Sequence, residues 1–149
     1  MEKEYRAFTE EQIKETCEAH EKWLASGGKE GERADFHNAD LKNARLNDVN
    51  LEKANLNGAR LNGAFLKSVN LKEASMEYAD LRFVRAINAI FDGASMEYAD
   101  FQDAILTAST FKDARLASAN FENAYLRHVN FTGATLLPCG AAWMVWAAS

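Results

Sequence analysis

The chain has 149 residues, enough for one domain with a continuous core, and it is 48% hydrophobic and 26% charged. Its net charge is −5, of which residues 1–33 contribute −3 and residues 34–137 only −2. This near-neutral repeat region has no basic stripe to hold a phosphate backbone, so we expect no direct nucleic-acid binding.

A helix is predicted at the N-terminus, over residues 10–26. Thr9 and Gln12 have the spacing of a capping box, Phe8 and Ile13 that of a hydrophobic staple, and Gly27 with Gly28 ends the pattern. We expect residues 1–33 to form this helix and a glycine-rich turn. The helix would cover the start of the repeats as an N-terminal cap. Its histidine, His20, falls on the apolar face and is predicted to be a packed residue.

Residues 34–137 repeat with a period of five. From Phe36 to Leu136 every fifth residue is Leu, Phe or Met, except Ala86, and the residue two positions before is Ala in sixteen of the twenty-one pentads. A period of five fits neither a helix nor a strand, and fixed self-similarity indicates a solenoid whose units bury their apolar sides against their neighbours.

The length of one coil is also readable from the sequence. ASMEYAD occurs at 74–80 and again at 94–100, an offset of twenty residues, so we expect four pentads per coil and about five coils. At about 4.8 Å per coil the shaft would be roughly 24 Å long. Sorting pentad centres by twenty places phenylalanine on two opposite sides, in the columns Phe91, Phe111, Phe131 and Phe101, Phe121.

The pattern A(D/N)LXX, as in ADLKN at 39–43, ANLNG at 54–58 and ADFQD at 99–103, resembles the pentapeptide-repeat family. The resemblance implies an all-β solenoid, the right-handed quadrilateral β-helix. In nine pentads Asp or Asn precedes the centre, where it is expected to bond the backbone of tight turns. Ala86 leaves the core thin, and we predict a local irregularity at 84–91 in which Ile87 or Ile90 turns inward or Arg85 distorts the side.

The tail, residues 138–149, is apolar and too short to span a bilayer, and we predict no transmembrane segment. Trp143, Met144 and Trp146 favour either a cap over the last coil or a homodimer interface at the C-terminal end, and both readings stay open. The start of the chain lacks a secretory signal pattern, and Cys17 and Cys139 are far apart in sequence, so we expect a cytoplasmic protein with isolated thiols, a disulfide being the alternative. The stretch EAHEKWLASGGKEGERADF resembles the leader of bacterial pentapeptide arrays, which implies a bacterial source.

A filled solenoid core offers no pocket for converging catalytic groups, so we predict no catalytic residue, cofactor or metal site and expect a non-enzymatic module that binds an unidentified protein. The outward apolar residues are either ordinary surface ladders or the partner-binding surface. These residues are Phe65, Tyr78, Phe83, Ile87, Tyr98, Ile105 and Tyr125. The alternative function is DNA mimicry acting on DNA gyrase or topoisomerase, which the family resemblance suggests and the near-neutral coil disfavours.

Overall fold

The computed structural model describes residues 3–137, which form one α-helix followed by a four-sided solenoid. In chain order the elements are strand β1 (Arg6–Ala7), helix α1 (Glu10–Ala25) and strand β2 (Ala39–Asp40). The rest of the solenoid pairs through isolated single-residue bridges. The expected all-β coil therefore contains little continuous strand, because a turn every five residues leaves only a short extended piece on each side.

Successive coils stack in parallel at the offset predicted from the sequence. Seventeen isolated bridges among the described residues each join a residue to the one twenty positions later, from Asp35–Asn55 to Arg115–Thr135. The bridging residue directly precedes each pentad centre and lies on a flat side. The two residues after the centre form the turn at a corner. Each coil thus contains four pentads.

The corner turns require a left-handed backbone at their second residue. In each of the twenty turns from Asn38 to Gly133 the second residue has a positive φ, and sixteen of these residues are not glycine. A positive φ at the second central residue alone indicates a type II turn. In most pentads the turn is closed by a bond to the centre's carbonyl, such as Ala39 N–H to Phe36 O at 3.0 Å.

The core consists of the pentad centres and the small residues two positions before them. The described centres from Phe36 to Leu126 are buried, including Ala86. The phenylalanine ladders predicted from the sequence are confirmed: Phe91 and Phe111 stack at 4.7 Å, and Phe101 and Phe121 at 4.8 Å. Burial of each such side chain contributes about 1.5–3 kcal/mol relative to exposure.

In each turn that the structure describes, the N–H of the first residue after the centre makes no bond to the backbone of a neighbouring coil. An Asp or Asn side chain before the centre accepts a hydrogen bond from this N–H. In all nine pentads with such a residue, its side-chain oxygen accepts the N–H two residues later, as in Asn70 Oδ1 with Lys72 N–H at 3.0 Å. This confirms the turn role predicted for these residues. Elsewhere the coil before can supply the acceptor: Asn47 Oδ1 accepts Lys67 N–H at 2.8 Å.

Helix α1 begins and ends close to the predicted bounds. Thr9 and Gln12 form both bonds of the capping box, and Ser26 is the C-cap. The sequence did not predict β1, which pairs in parallel with β2 and adds a strand to the edge of the first coil. Phe8, between β1 and α1, packs edge-on against Phe36 with ring centroids 5.3 Å apart.

The side through Ala86 stays in register, so the predicted inward turn of Ile87 or Ile90 is wrong. Both isoleucines are exposed, and Ala86 N–H donates to Ile105 O at 2.8 Å. The irregularity lies in the turn bond. The buried Ser109 hydroxyl accepts the Ala89 N–H at 3.0 Å and donates to Ala86 O. A polar side chain from the next coil thereby replaces the direct bond that closes neighbouring turns.

Candidate interaction surface

The bridges sort the outward residues into four faces, numbered from the first pentad. The third face comprises the pentads centred on residues 46, 66, 86, 106 and 126. Along its middle runs a column that we call the Phe65–Tyr125 column, in which bridges join Arg45, Phe65, Arg85, Ile105 and Tyr125 in that order. The Arg85 guanidinium lies over the Phe65 ring, 5.0 Å from its centroid. Apolar and cationic side chains therefore alternate along the first part of this column.

Two further candidate residues border this column. Ile87, at the corner between the third and fourth faces, is 39% exposed, and Phe83, at the corner between the second and third faces, is 58% exposed. Tyr125 at the far end of the column is 64% exposed. The third face and its two corners thus present several apolar side chains along the shaft, with Arg85 between Phe65 and Ile105. Ile90 belongs instead to the fourth face.

Tyr78 and Tyr98 lie at the corner between the first and second faces. Their rings stack in parallel, 4.8 Å apart at 3° between planes, as their twenty-residue spacing predicts. On the adjoining second face Arg82 contacts Asp80 at 2.8 Å and Asp100 at 3.9 Å. The predicted interaction residues therefore form two separate surfaces, because the column and the tyrosine pair belong to different faces.

The third face differs from the rest of the described chain in that its cations form no ion pairs. Of the seven ion pairs within 4.0 Å among residues 3–137, none uses a cation of the third face. The sequence predicted that Phe65, Ile105 and Tyr125 share one outward column at the twenty-residue offset. Arg45 and Arg85 occupy the same column, and neither they nor their lack of ion pairs was predicted.

At the N-terminal end His20, for which a packed or partly buried position was predicted, is fully buried. Its Nε2 lies 2.8 Å from Glu52 O, and its Nδ1 accepts the Ala34 N–H at 2.9 Å. The ring also stacks on Trp23 at 5.5 Å. Burial lowers the pKa of His20 below its ordinary 6.5. Both nitrogens are engaged in packing α1 on the first coil.

Clefts of about 400 and 430 Å³ lie where α1 meets the first coil. The first is lined mainly by charged side chains, among them Arg6, Glu15 and Arg33. Within residues 3–137 there is no group of three or more His, Cys, Asp or Glu residues that could hold a metal ion. No helix in this part of the chain has the length and hydropathy needed to cross a membrane.

The solenoid as described ends with apolar residues near its last coil. Phe131 and Leu136 are partly buried, and Leu137 is 80% exposed. The apolar residues predicted to cap this end or to form a dimer, Trp143, Met144 and Trp146, lie outside the described residues.

Sequence comparison agrees with this geometry. The profile of the pentapeptide repeats matches in eight copies, over residues 34–73, 50–85, 74–113 and 111–137. The chain belongs to the pentapeptide-repeat family. Proteins of this family fold as right-handed quadrilateral β-helices, as the resemblance implied, and act in general as structural or interaction modules. No curated protein sequence matches this pentapeptide-repeat chain at a significant level.

Solved pentapeptide-repeat structures resemble the chain. One from the Arabidopsis thaliana thylakoid lumen is 28% identical with a TM-score of 0.61, covering 62% of this chain and 65% of its own. HetL of Nostoc, involved in heterocyst differentiation regulation, is 30% identical with a TM-score of 0.43, covering 72% and 60%. The chain thus spans just under two thirds of these relatives. QnrB1, a plasmid-mediated fluoroquinolone resistance protein, is 19% identical with a TM-score of 0.34, and the match covers 69% of this chain and 72% of QnrB1.

Proposed function

We propose that this pentapeptide-repeat chain is a non-enzymatic interaction module and that the third face is where it binds a protein partner. The observation that carries the proposal is the Phe65–Tyr125 column, where the half-buried Phe65 and Ile105 lie in line with the exposed Tyr125 on a rigid face. Single exposed apolar residues are ordinary, but several apolar side chains grouped on one face are typical of binding sites. Tyr78 and Tyr98 form a second, smaller candidate surface.

The architecture supports this function because it makes the surface rigid. The filled core and the bonds between coils hold each outward side chain at a defined place, so little ordering is needed on binding. We propose that α1 acts as the N-terminal cap. Its contacts support this: Cys17 belongs to the buried core cluster, and His20 reaches the backbone of the first coil.

An affinity pull-down from the native cell tests the proposed function. The double variant Phe65→Ser with Ile105→Ser is compared with the parent protein and with Tyr78→Ser with Tyr98→Ser as a matched control. A specific partner should be lost with the first pair and kept with the second. The proposal is wrong if the first pair retains the partner while its circular dichroism and thermal unfolding match those of the parent.

The charge of the repeats supports a protein partner over DNA mimicry. A mimic of duplex DNA needs concentrated negative potential, whereas residues 34–137 carry thirteen acids against eleven bases. A gyrase supercoiling assay, with and without quinolone, tests the alternative. We expect no effect at micromolar protein, and inhibition or protection would overturn this preference.

We also propose that the protein works in the cytoplasm.

A homodimer of this chain would form its contact at the C-terminal end of the shaft. The exposure of Leu137 and the partial burial of Phe131 and Leu136 support an apolar contact at this end. Size-exclusion chromatography with light scattering on Trp146→Asp tests it. A folded monomer from a dimeric parent would support the interface, and a monomeric parent or loss of folding in the variant would favour a cap.

A further inference from the structure

The third face differs from the other three in how its turns are built. All nine Asp and Asn residues that bond their own turn lie on the first, second and fourth faces. The same position on the third face is occupied by Arg45, Phe65, Arg85, Ile105 and Tyr125. Such local bonds stabilise tight turns. The third face therefore forgoes this stabilisation and carries large cationic and apolar side chains instead.

The charge of the third face is also opposite to that of its surroundings. It has four Lys or Arg residues against one Asp, a net of +3, whereas the first, second and fourth faces carry −2, −2 and −1. The cations are Arg45, Lys67, Arg85 and Arg127, and the acid is Asp48. The adjoining corner of the second face is neutral, with Lys42 and Arg82 set against Asp103 and Glu122.

The cations of this face are available to a partner. None has a carboxylate within 4.0 Å among the described residues, whereas Arg60, Arg82 and Arg115 on other faces are paired at 2.6–2.8 Å. Arg85 instead packs over Phe65. A guanidinium placed over a ring keeps its N–H groups free at the edge, where they can bind a carboxylate in bidentate fashion.

From these observations we propose that the third face binds an acidic protein segment whose own apolar side chains contact the Phe65–Tyr125 column. This proposal rests on the proposed interaction function and names its partner class. The column covers four coil steps, about 19 Å at 4.8 Å per step, which matches about six residues of an extended chain. Carboxylates of such a segment would meet Lys67, Arg85 and Arg127.

An acidic protein segment fits this face better than a membrane or a nucleic acid does. A lipid surface or a long duplex would extend beyond the shaft, past α1, where residues 1–33 carry a net of −3. Four cations on one face are also few for a phosphate polymer, whose tight binders neutralise about 6–10 phosphates. A short acidic segment can lie within the third face and avoid the acidic groups elsewhere.

The test uses defined probes on the full chain at low ionic strength. The acidic probe is a fluorescein-labelled twelve-residue peptide of alternating Glu and Leu, and the comparison probes are its Lys and Leu counterpart, vesicles with 30% phosphatidylserine and a 20-base-pair DNA duplex. The charge variant is Lys67→Glu with Arg127→Glu. The matched control is Lys72→Glu with Lys112→Glu on the fourth face, where both lysines are exposed like their counterparts.

Of the four probes, we expect only the acidic peptide to bind the parent protein, with an affinity that falls as the salt concentration rises. Its affinity for the charge variant should be at least tenfold lower, and its affinity for the control variant should lie within twofold of that for the parent. Tighter binding of vesicles, duplex or the basic peptide would overturn the proposal, as would self-association that depends on Lys67 and Arg127. If Phe65→Ser with Ile105→Ser abolishes partner capture while the charge variant changes neither capture nor peptide binding, the acidic class is wrong and the interaction function stands. If neither pair of substitutions affects capture or binding, both proposals fail.

Discussion

The backbone N–H of Ala34 donates a 2.9 Å hydrogen bond to Nδ1 of His20, fourteen residues earlier in the chain. An amide can only donate, so Nδ1 carries no proton, and Nε2 must carry one in order to donate to Glu52 O. The ring is therefore held in its neutral form. This bond joins α1 to the first core residue of the solenoid.

Acid should loosen the N-terminal end. Burial lowers the pKa of His20 below 6.5, with the nearby Arg33 lowering it further and Glu21 and Glu52 opposing. Because the unfolded state binds this proton more readily, the stabilisation is complete above pH 6.5 and is lost as the pH falls through the folded pKa. Urea unfolding between pH 8 and 5 should show stability falling below pH 6.5.

The variant His20→Leu should be less stable at pH 7.5 by about 1–3 kcal/mol, because it leaves the Ala34 N–H and the Glu52 carbonyl without their partner. It should also lose most of the pH dependence above pH 5. His128→Gln, at an exposed corner, is the control and should keep the dependence of the parent. An unchanged pH profile in His20→Leu would contradict this account.

Ser109 should be the most costly serine to replace on the solenoid. Its buried hydroxyl serves both Ala89 N–H and Ala86 O, and removing it leaves buried backbone groups unpaired. We expect Ser109→Ala to lower the free energy of unfolding by about 1–3 kcal/mol, measured by chemical denaturation. Ser95→Ala, on an outward position, should change it by less than about 0.5 kcal/mol. Equal effects would mean that the turn closes directly without the hydroxyl.

Glycine should be tolerated differently at two alanines of similar exposure. Ala108 is the second residue of its turn with φ 61°, whereas Ala117 is the first residue of its own turn and does not have a positive φ. The left-handed conformation costs alanine about 1–2 kcal/mol, and glycine avoids this cost. The free energy of unfolding of the Ala108→Gly variant should therefore be higher than that of the Ala117→Gly variant by about 1 kcal/mol or more. The reverse order would exclude a left-handed corner at Ala108.

Cys17 should react slowly with thiol reagents while the protein is folded. Burial, with Glu21 and Glu18 nearby, raises the pKa of its thiol to about 11. At pH 8 the reactive thiolate is then about 0.1% of the total, against roughly a quarter for an unperturbed cysteine. In a Cys139→Ser background, iodoacetamide labelling at pH 8 should be at least 100-fold slower than in urea. Rapid labelling of the folded protein would show that α1 opens readily.

Much of the solenoid could be predicted from the sequence because the pattern is local and repeated. The pentad register places each Leu and Phe inward, and the offset of twenty aligns Phe91 with Phe111 and Tyr78 with Tyr98. The capping box at Thr9 and the turn bonds of Asp and Asn, such as Asn70 with Lys72, are also short-range. In each case the interacting residues are neighbours in sequence or one fixed repeat apart, so a pattern of residue types suffices to indicate the contact.

Other features depended on side chains meeting across longer or irregular separations. The pairing of β1 with β2, the contacts of His20 with Ala34 and Glu52, and the insertion of Ser109 between Ala86 and Ala89 follow no repeat. The unpaired state of Arg85 and Lys67 likewise depends on which carboxylates lie within reach in space. The register, the length of the coil and the inward residues could all be read from the residue pattern, because these follow from periodicity. The folded chain was needed to see how α1 packs on the first coil, how the backbone at Ala86 is bonded and which charges among residues 3–137 remain unpaired, because those depend on distances that no periodicity encodes.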